Sequence, residues 1–233
     1  MHNPPFPVSL DLGGWALLWA RLDLGARAGG PGSAGALAEP PDPLADLRRQ
    51  VVARVRSRHD PARLPEHPTV AAVRALFRAA GCDPTRYRPS SEALLRRVLK
   101  GEDLPAIQPL VDLNNCLSLE LATPCGIAAE GSFTPPVTLR SGRSGESYES
   151  LRGPFNLEGK PLLADAAGPF GTPISDSQRT RVEAGTRRAW FVAYLPAAVL
   201  PPAEALGTLQ ALLPGLPMAA LDVAASIPDG PAA

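Results

Sequence analysis

The chain has 233 residues, 45% of them hydrophobic and 20% charged, with 23 basic side chains balanced by 23 acidic ones. That length suits one large domain, or one domain with an appendage, and is enough to bury a real core. No apolar run of about 18 residues occurs, which excludes a membrane-spanning helix.

The first seven residues lack the basic-then-apolar order of a secretory signal, so the cytoplasm is the expected compartment. Residues 1–14 are expected to be an N-terminal extension. Trp15–Leu24 (WALLWARLDL) ends with Leu18, Ala20, Leu22 and Leu24 on one side and Arg21 and Asp23 on the other. That period of two predicts a strand. Gly25–Pro43 is nearly all Gly, Ala, Pro and Ser and predicts a flexible loop. Leu44–Arg58 places Leu44, Leu47, Val51, Val52 and Val55 on one helix face. A second helix is predicted over Thr69–Ala80, with Gly81 as its stop. A third begins at Pro89-Ser90-Ser91-Glu92, where a serine is expected to cap free amides and Glu92 suits the positive helix end.

The fourth predicted helix, Pro109–Leu121, has Leu110, Leu113, Leu117 and Leu121 as its apolar stripe. At 100° per residue Asn114 falls about 40° from the stripe centre and Ser118 about 80°. A partly buried amide without partners costs about 1–3 kcal/mol, so either the fold or a ligand has to supply them. Strands are predicted near Pro136–Arg140, Pro161–Asp165 and Ala189–Leu195, with a loop-rich stretch between the last two. Ala203–Leu213 predicts a short closing helix. Residues 214–233 are expected to be a tail, disordered from Ala224. Together these elements predict an α+β fold with a mixed, mostly antiparallel sheet packed with helices.

Charge is unevenly placed. Residues 46–100 carry 13 basic and 5 acidic side chains, a net of +8, and the remainder carries −8. Such a block either holds a polyanion on one face or solvates amphipathic helices. Cys82, Cys116 and Cys125 are odd in number and form no CxxC pair, which argues against a disulfide framework or zinc site and for reduced, buried thiols. The histidines, His2, His59 and His67, all fall in the first third, so no Ser–His–Asp or Cys–His set can be assembled after Arg86. No phosphate-cradling glycine motif follows a strand. The working surface is therefore expected between Arg86 and Arg188, with no metal, histidine or cofactor.

Three segments in order, YRPSSEALLRRVLKG, LPAIQPLVDLNNCLSLELATPCGIAAEG and LLADAAGPFGTPISDSQRTRVEAGTRRAWFVAYLP, resemble the free-standing B3/B4 domain proteins. These are related to the editing domain of the phenylalanyl-tRNA synthetase β subunit. The likeness runs from about Trp15 to Leu213. It implies a pocket that accepts the 3′ end of a tRNA mischarged with tyrosine and hydrolyses the ester. By this resemblance Asn114, Asn115, Ser118 and Glu120 line one side, the Thr123–Ile127 turn with Gly126 forms the mouth, and Gly168, Phe170, Gly171, Ser175 and Ser177 lie opposite. Asp176 is the expected water-orienting group and Thr180 or Asn114 the reader of the amino acid's polar end, with backbone amides of Gly168–Gly171 as oxyanion donors. The synthetase carries a histidine just after the proline of the turn; here the stretch reads Pro124-Cys125-Gly126.

Arg86, Arg88, Arg96 and Arg97 are the expected RNA contacts, although aromatic residues at 5% leave little for base stacking. Three functions remain open: trans-editing of mischarged aminoacyl-tRNA, binding of an amino acid or aminoacyl nucleotide without catalysis, or a structural or partner-binding role for which the sequence carries no positive signal. The expected partner is accordingly a tRNA 3′ end or an aminoacyl small molecule, with neither DNA nor membrane. Oligomeric state is not readable.

Overall fold

The computed structural model describes residues 4–25 and 42–226. After a short strand β1 (Val8–Leu10), the organising element is β2 (Trp15–Leu24). Its side chains alternate between two cores, with Trp15, Leu17 and Trp19 in one and Ala16, Leu18, Ala20, Leu22 and Leu24 in the other. A strand apolar on both faces has to be sandwiched. The alternation turns polar at Arg21, where one cover ends and the guanidinium instead meets Glu130 and Asp222.

Three helices follow, α1 (Ala45–Arg58), α2 (Pro68–Ala79) and α3 (Ser90–Leu99), and then α4 (Pro109–Leu121), which matches its predicted bounds. The rest comprises β3 (Cys125–Ala129), β4 (Val137–Ser141), β5 (Ser147–Ser150), β6 (Gly153–Asn156), β7 (Pro161–Asp165), β8 (Gly168–Gly171), β9 (Arg188–Pro196), α5 (Pro202–Leu212) and β10 (Met218–Ser226). The main sheet runs β10-β2-β9-β3, antiparallel throughout. On one face it carries the apolar stripes of α1, α3, α4 and α5. The other face packs on a second sheet, β1-β4-β7-β8, and on Val73 and Phe77 of α2. The architecture is α+β with mixed and antiparallel sheets, as the patterning predicts.

Several expectations change. A single sheet is replaced by two four-stranded sheets and the two-stranded β5-β6 hairpin, because β4, β7 and β8 turn Val137, Leu139, Leu163 and Phe170 toward the indole face of β2. The expected N-terminal extension contributes β1, paired in parallel with β4. The expected tail contributes β10, whose Ala224–Ser226 pair with Trp19, Leu18 and Leu17. Its alternation is hidden by an irregularity between Leu221 and Ala224, where Asp222 has φ 48°. Residues 26–41 of the expected loop and 227–233 of the expected tail lie outside the described residues. Ser90 and Ser91 do not cap α3: Pro89 holds that position without a side-chain bond, and the Ser90 amide donates to the Pro173 carbonyl at 2.9 Å. No helix among the described residues is long and apolar enough to cross a membrane.

Candidate functional site

The N-terminus of α4 is fixed by two side chains that satisfy its free amides. Gln108 Oε1 accepts from Leu110 and Val111 at 2.7 and 3.2 Å, and Asp112 Oδ1 accepts from the Ile107 amide at 3.0 Å. Asp112 is buried and also receives Arg48 of α1 at 2.7 Å. Burial pushes its carboxyl up, against the opposing pull of these donors. The helix ends at Ala122 in the left-handed region, φ 51°, which turns the chain directly into β3. At that turn the Thr123 carbonyl accepts both Ser118 Oγ (3.0 Å) and Cys125 Sγ (3.6 Å).

Across from α4 runs the segment Thr172–Asp176. Thr172 Oγ1 accepts from the amides of Ile174 (3.2 Å) and Ser175 (3.0 Å), closing a tight turn. Tyr148 Oη donates to the Ser175 carbonyl, and the Asp176 carbonyl accepts from Leu151 at 3.2 Å. The backbone beneath Asp176 is thus held from both sides.

Between these walls lies an open cleft of about 430 Å³. Asn114, Asn115 and Ser118 form one side, Thr172, Ile174, Ser175 and Asp176 the other, and Cys125 part of the floor. Arg88, Arg97 and Arg152 stand among its lining residues, together with Ile107 and Leu151, which are 60% and 47% exposed.

Asp176 makes no side-chain hydrogen bond or ion pair among the described residues. Burial alone pushes its carboxyl up to about 6. A side chain on Gly126 would put its first carbon 3.8 Å from Asp176 Oδ1, so the bare glycine leaves room below the carboxylate. Burial raises the Cys125 thiol far out of the neutral range, which removes it as a thiolate nucleophile. Asn114 is 5% exposed, and its Oδ1 is buried without a partner. His59 and His67 pack on each other elsewhere, with ring centroids 5.0 Å apart. Among the described residues no three potential ligands cluster for a metal.

The cleft thus gathers Asn114, Asn115, Ser118, Ser175 and Asp176, with Gly126 beneath the last and Arg88 and Arg97 beside them. Other candidates lie elsewhere. Glu120 points to α1, where it bonds Arg54 at 2.6 Å and Arg58 at 3.0 Å. Gly168 borders a separate groove with Asp11 and Arg140. Phe170 stacks on Phe133 inside the second core, centroids 5.0 Å apart. Gly171 is paired with Leu163 and bridged to Asp176. Ser177 accepts from the Arg179 amide, and buried Thr180 donates to the Phe170 carbonyl at 3.1 Å. Neither lines the cleft. Arg86 is exposed over the Tyr87 ring, and Arg96 bonds Glu92 at 2.9 Å. Glu92, 1% exposed, also receives Arg74 at 3.0 Å and approaches Arg88 at 3.6 Å.

Sequence reasoning missed Ile107, Leu151 and Arg152 as lining residues. The first two carry a signal only in retrospect, as isolated apolar residues in polar loops.

No curated protein matches the chain. Among solved structures, it is similar to an N-terminal fragment of the phenylalanyl-tRNA synthetase β-subunit from Pyrococcus horikoshii, with 13% identity and a TM-score of 0.44. That match covers 94% of this chain and 51% of the other, so the chain spans about half the length of that structure. The model of the B3/4 domain matches residues 72–208, more than half of the sequence, and the chain belongs to the B3/4 domain family.

Proposed function

We propose that the chain binds the aminoacylated 3′ end of tRNA in the Asn114–Asp176 cleft and hydrolyses the ester in trans. The observation that carries this reading is Asp176: a carboxylate without a counter-charge, on a pinned backbone, facing a cleft beside side-chain amides. A pKa of about 6 leaves it mostly ionised at neutral pH yet basic enough to take a proton. Water, polarised by Asp176, attacks the ester carbonyl and passes its proton to the carboxylate. The tetrahedral intermediate collapses, the ribose hydroxyl leaves with that proton, and the free amino acid and tRNA separate. Among the residues lining the cleft, the oxyanion donors are the side-chain amides of Asn114 and Asn115 and the Ser175 hydroxyl. An aminoacyl ester is already activated, so a positioned water and base suffice.

The test is deacylation of tRNA(Phe) charged with tyrosine or phenylalanine. Asp176→Asn should lower kcat by about 100-fold or more while the protein stays folded, since a positioned base is typically worth that much. Unchanged turnover removes Asp176 from the mechanism. The wild-type kcat/KM should also fall as pH drops through about 6, because protonation removes the base of the free enzyme.

One observation favours the second reading, binding without turnover. Ten of the thirteen basic residues in 46–100 are spent on ion pairs, which leaves a small cationic surface for tRNA. Thermal shifts with amino acids and with tRNA separate the two, since only a bound species raises the melting point.

A further inference from the structure

Several polar groups of the cleft offer only acceptor atoms to a ligand. Asn114 Oδ1 is buried and has no donor among the described residues. Ser118 and Cys125 both give their hydrogens to the Thr123 carbonyl, so toward the cleft they offer lone pairs only. Asp176 adds an unpaired carboxylate. The cations lining the same cleft, Arg88 before α3, Arg97 in α3 and Arg152 at the β5–β6 turn, are all exposed. With the amide nitrogens of Asn114 and Asn115 and the Ser175 hydroxyl left for the ester oxygen, these acceptors and the exposed guanidiniums suit a ligand that is cationic, with several N–H donors, at its inner end and anionic at its outer end.

We infer that the cleft reads the free α-ammonium group of the aminoacyl end, placing it between Asn114 Oδ1 and Asp176 with the phosphodiester outward, and refuses ends whose amino group is acylated. This rests on the aminoacyl-ester reading above. An ammonium supplies three donors and the missing counter-charge. An N-acyl group leaves one donor and no charge, and adds bulk where the acceptors converge. One oxygen of Asp176 then holds the ammonium while the other faces water, so the substrate itself keeps the base ionised. Formylated and peptidyl ends of tRNA are thereby excluded, and an aminoacyl end is taken only before its amino group has been acylated.

The experiment uses the full chain and two probe pairs. The first compares Tyr-tRNA with N-acetyl-Tyr-tRNA in deacylation. The second compares 3′-tyrosylamino-3′-deoxyadenosine, which cannot be hydrolysed as an ester, with its N-acetyl form in calorimetric binding. The unblocked member of each pair should be favoured at least tenfold, and Asn114→Leu should narrow that ratio. Equal kcat/KM or equal affinity within a pair overturns the inference. Selective binding of the unblocked adenosine without any deacylation upholds it and overturns the hydrolytic reading. Binding and turnover of neither pair overturns both.

Discussion

Asp176 shows how a single residue trades stability for chemistry. Its carboxyl is raised from 3.8 to about 6 by desolvation, so the folded state holds the proton more tightly than the unfolded chain does. The stability it contributes is fully present below about 3.8 and is lost as pH rises through about 6. At neutral pH the ionised group is therefore a burden. Asp176→Asn keeps the shape and removes the charge. Allowing for the partly solvated cleft, it should stabilise the protein by about 1–2 kcal/mol at pH 7.5, or a few degrees in Tm. The gain should shrink as pH falls toward 4. Thermal unfolding of both proteins across that range is the check, and a variant that is less stable at pH 7.5 would show that the carboxylate has a partner after all. Asn114 follows the same logic: its unpaired carbonyl has no structural use among the described residues, which is why it points to a ligand.

At the level of elements, α4 is the beam that carries one wall of the cleft, and α1 holds it through one buried ion pair. Arg48 bonds Asp42 and Asp112, and Asp112 is 2% exposed. Arg48→Ala leaves the Asp112 carboxylate buried without its cation, and should cost about 2–4 kcal/mol in urea unfolding at pH 7. A loss under 1 kcal/mol would mean that the amides of Ile107 and Gln108 suffice to hold Asp112. The helices were legible because each carries a 3.6-residue stripe, and the bounds of α4 because Pro109 opens it and Leu121 closes its stripe. The opposition of Asn114 to the Ser175–Asp176 turn was likewise legible, through the resemblance of the segments. What could not be read was set by distant partners. Glu120 is claimed by Arg54 and Arg58, 66 and 62 positions away, and so leaves the cleft. Gly168 to Gly171 look like a ligand loop until β7 pairs with them. Arg152 reaches the mouth on a hairpin whose four-residue strands are too short to announce themselves.

Across the whole molecule, the basic block and the acidic remainder meet rather than face outward separately. Arg54 and Arg58 reach Glu120, Arg56 reaches Asp103, and Arg97 reaches Glu102. A neutral chain that pairs its charges across its own core has little polyanion-binding surface left, and the guanidiniums that remain near the cleft are few. Arg88 is held at 3.6 Å from Glu92, Arg97 is shared with Glu102, and Arg152 forms no ion pair among the described residues. If these three meet the phosphates of a single-stranded 3′ end, the log of affinity should fall with the log of salt concentration at a slope of about −2, since each contact on a single strand adds about −0.7. Arg152→Ala should reduce the steepness by about 0.7, because this cation does not compete with an internal carboxylate. Filter binding of charged tRNA across a salt series measures both quantities. A slope steeper than about −5 would require a far wider basic footprint than this cleft provides, and an unchanged slope in the variant would take Arg152 off the path of the phosphates. The shallow slope matters for the reading of the site, because it assigns recognition to the aminoacyl group in the cleft, with the nucleic-acid backbone adding affinity but little choice.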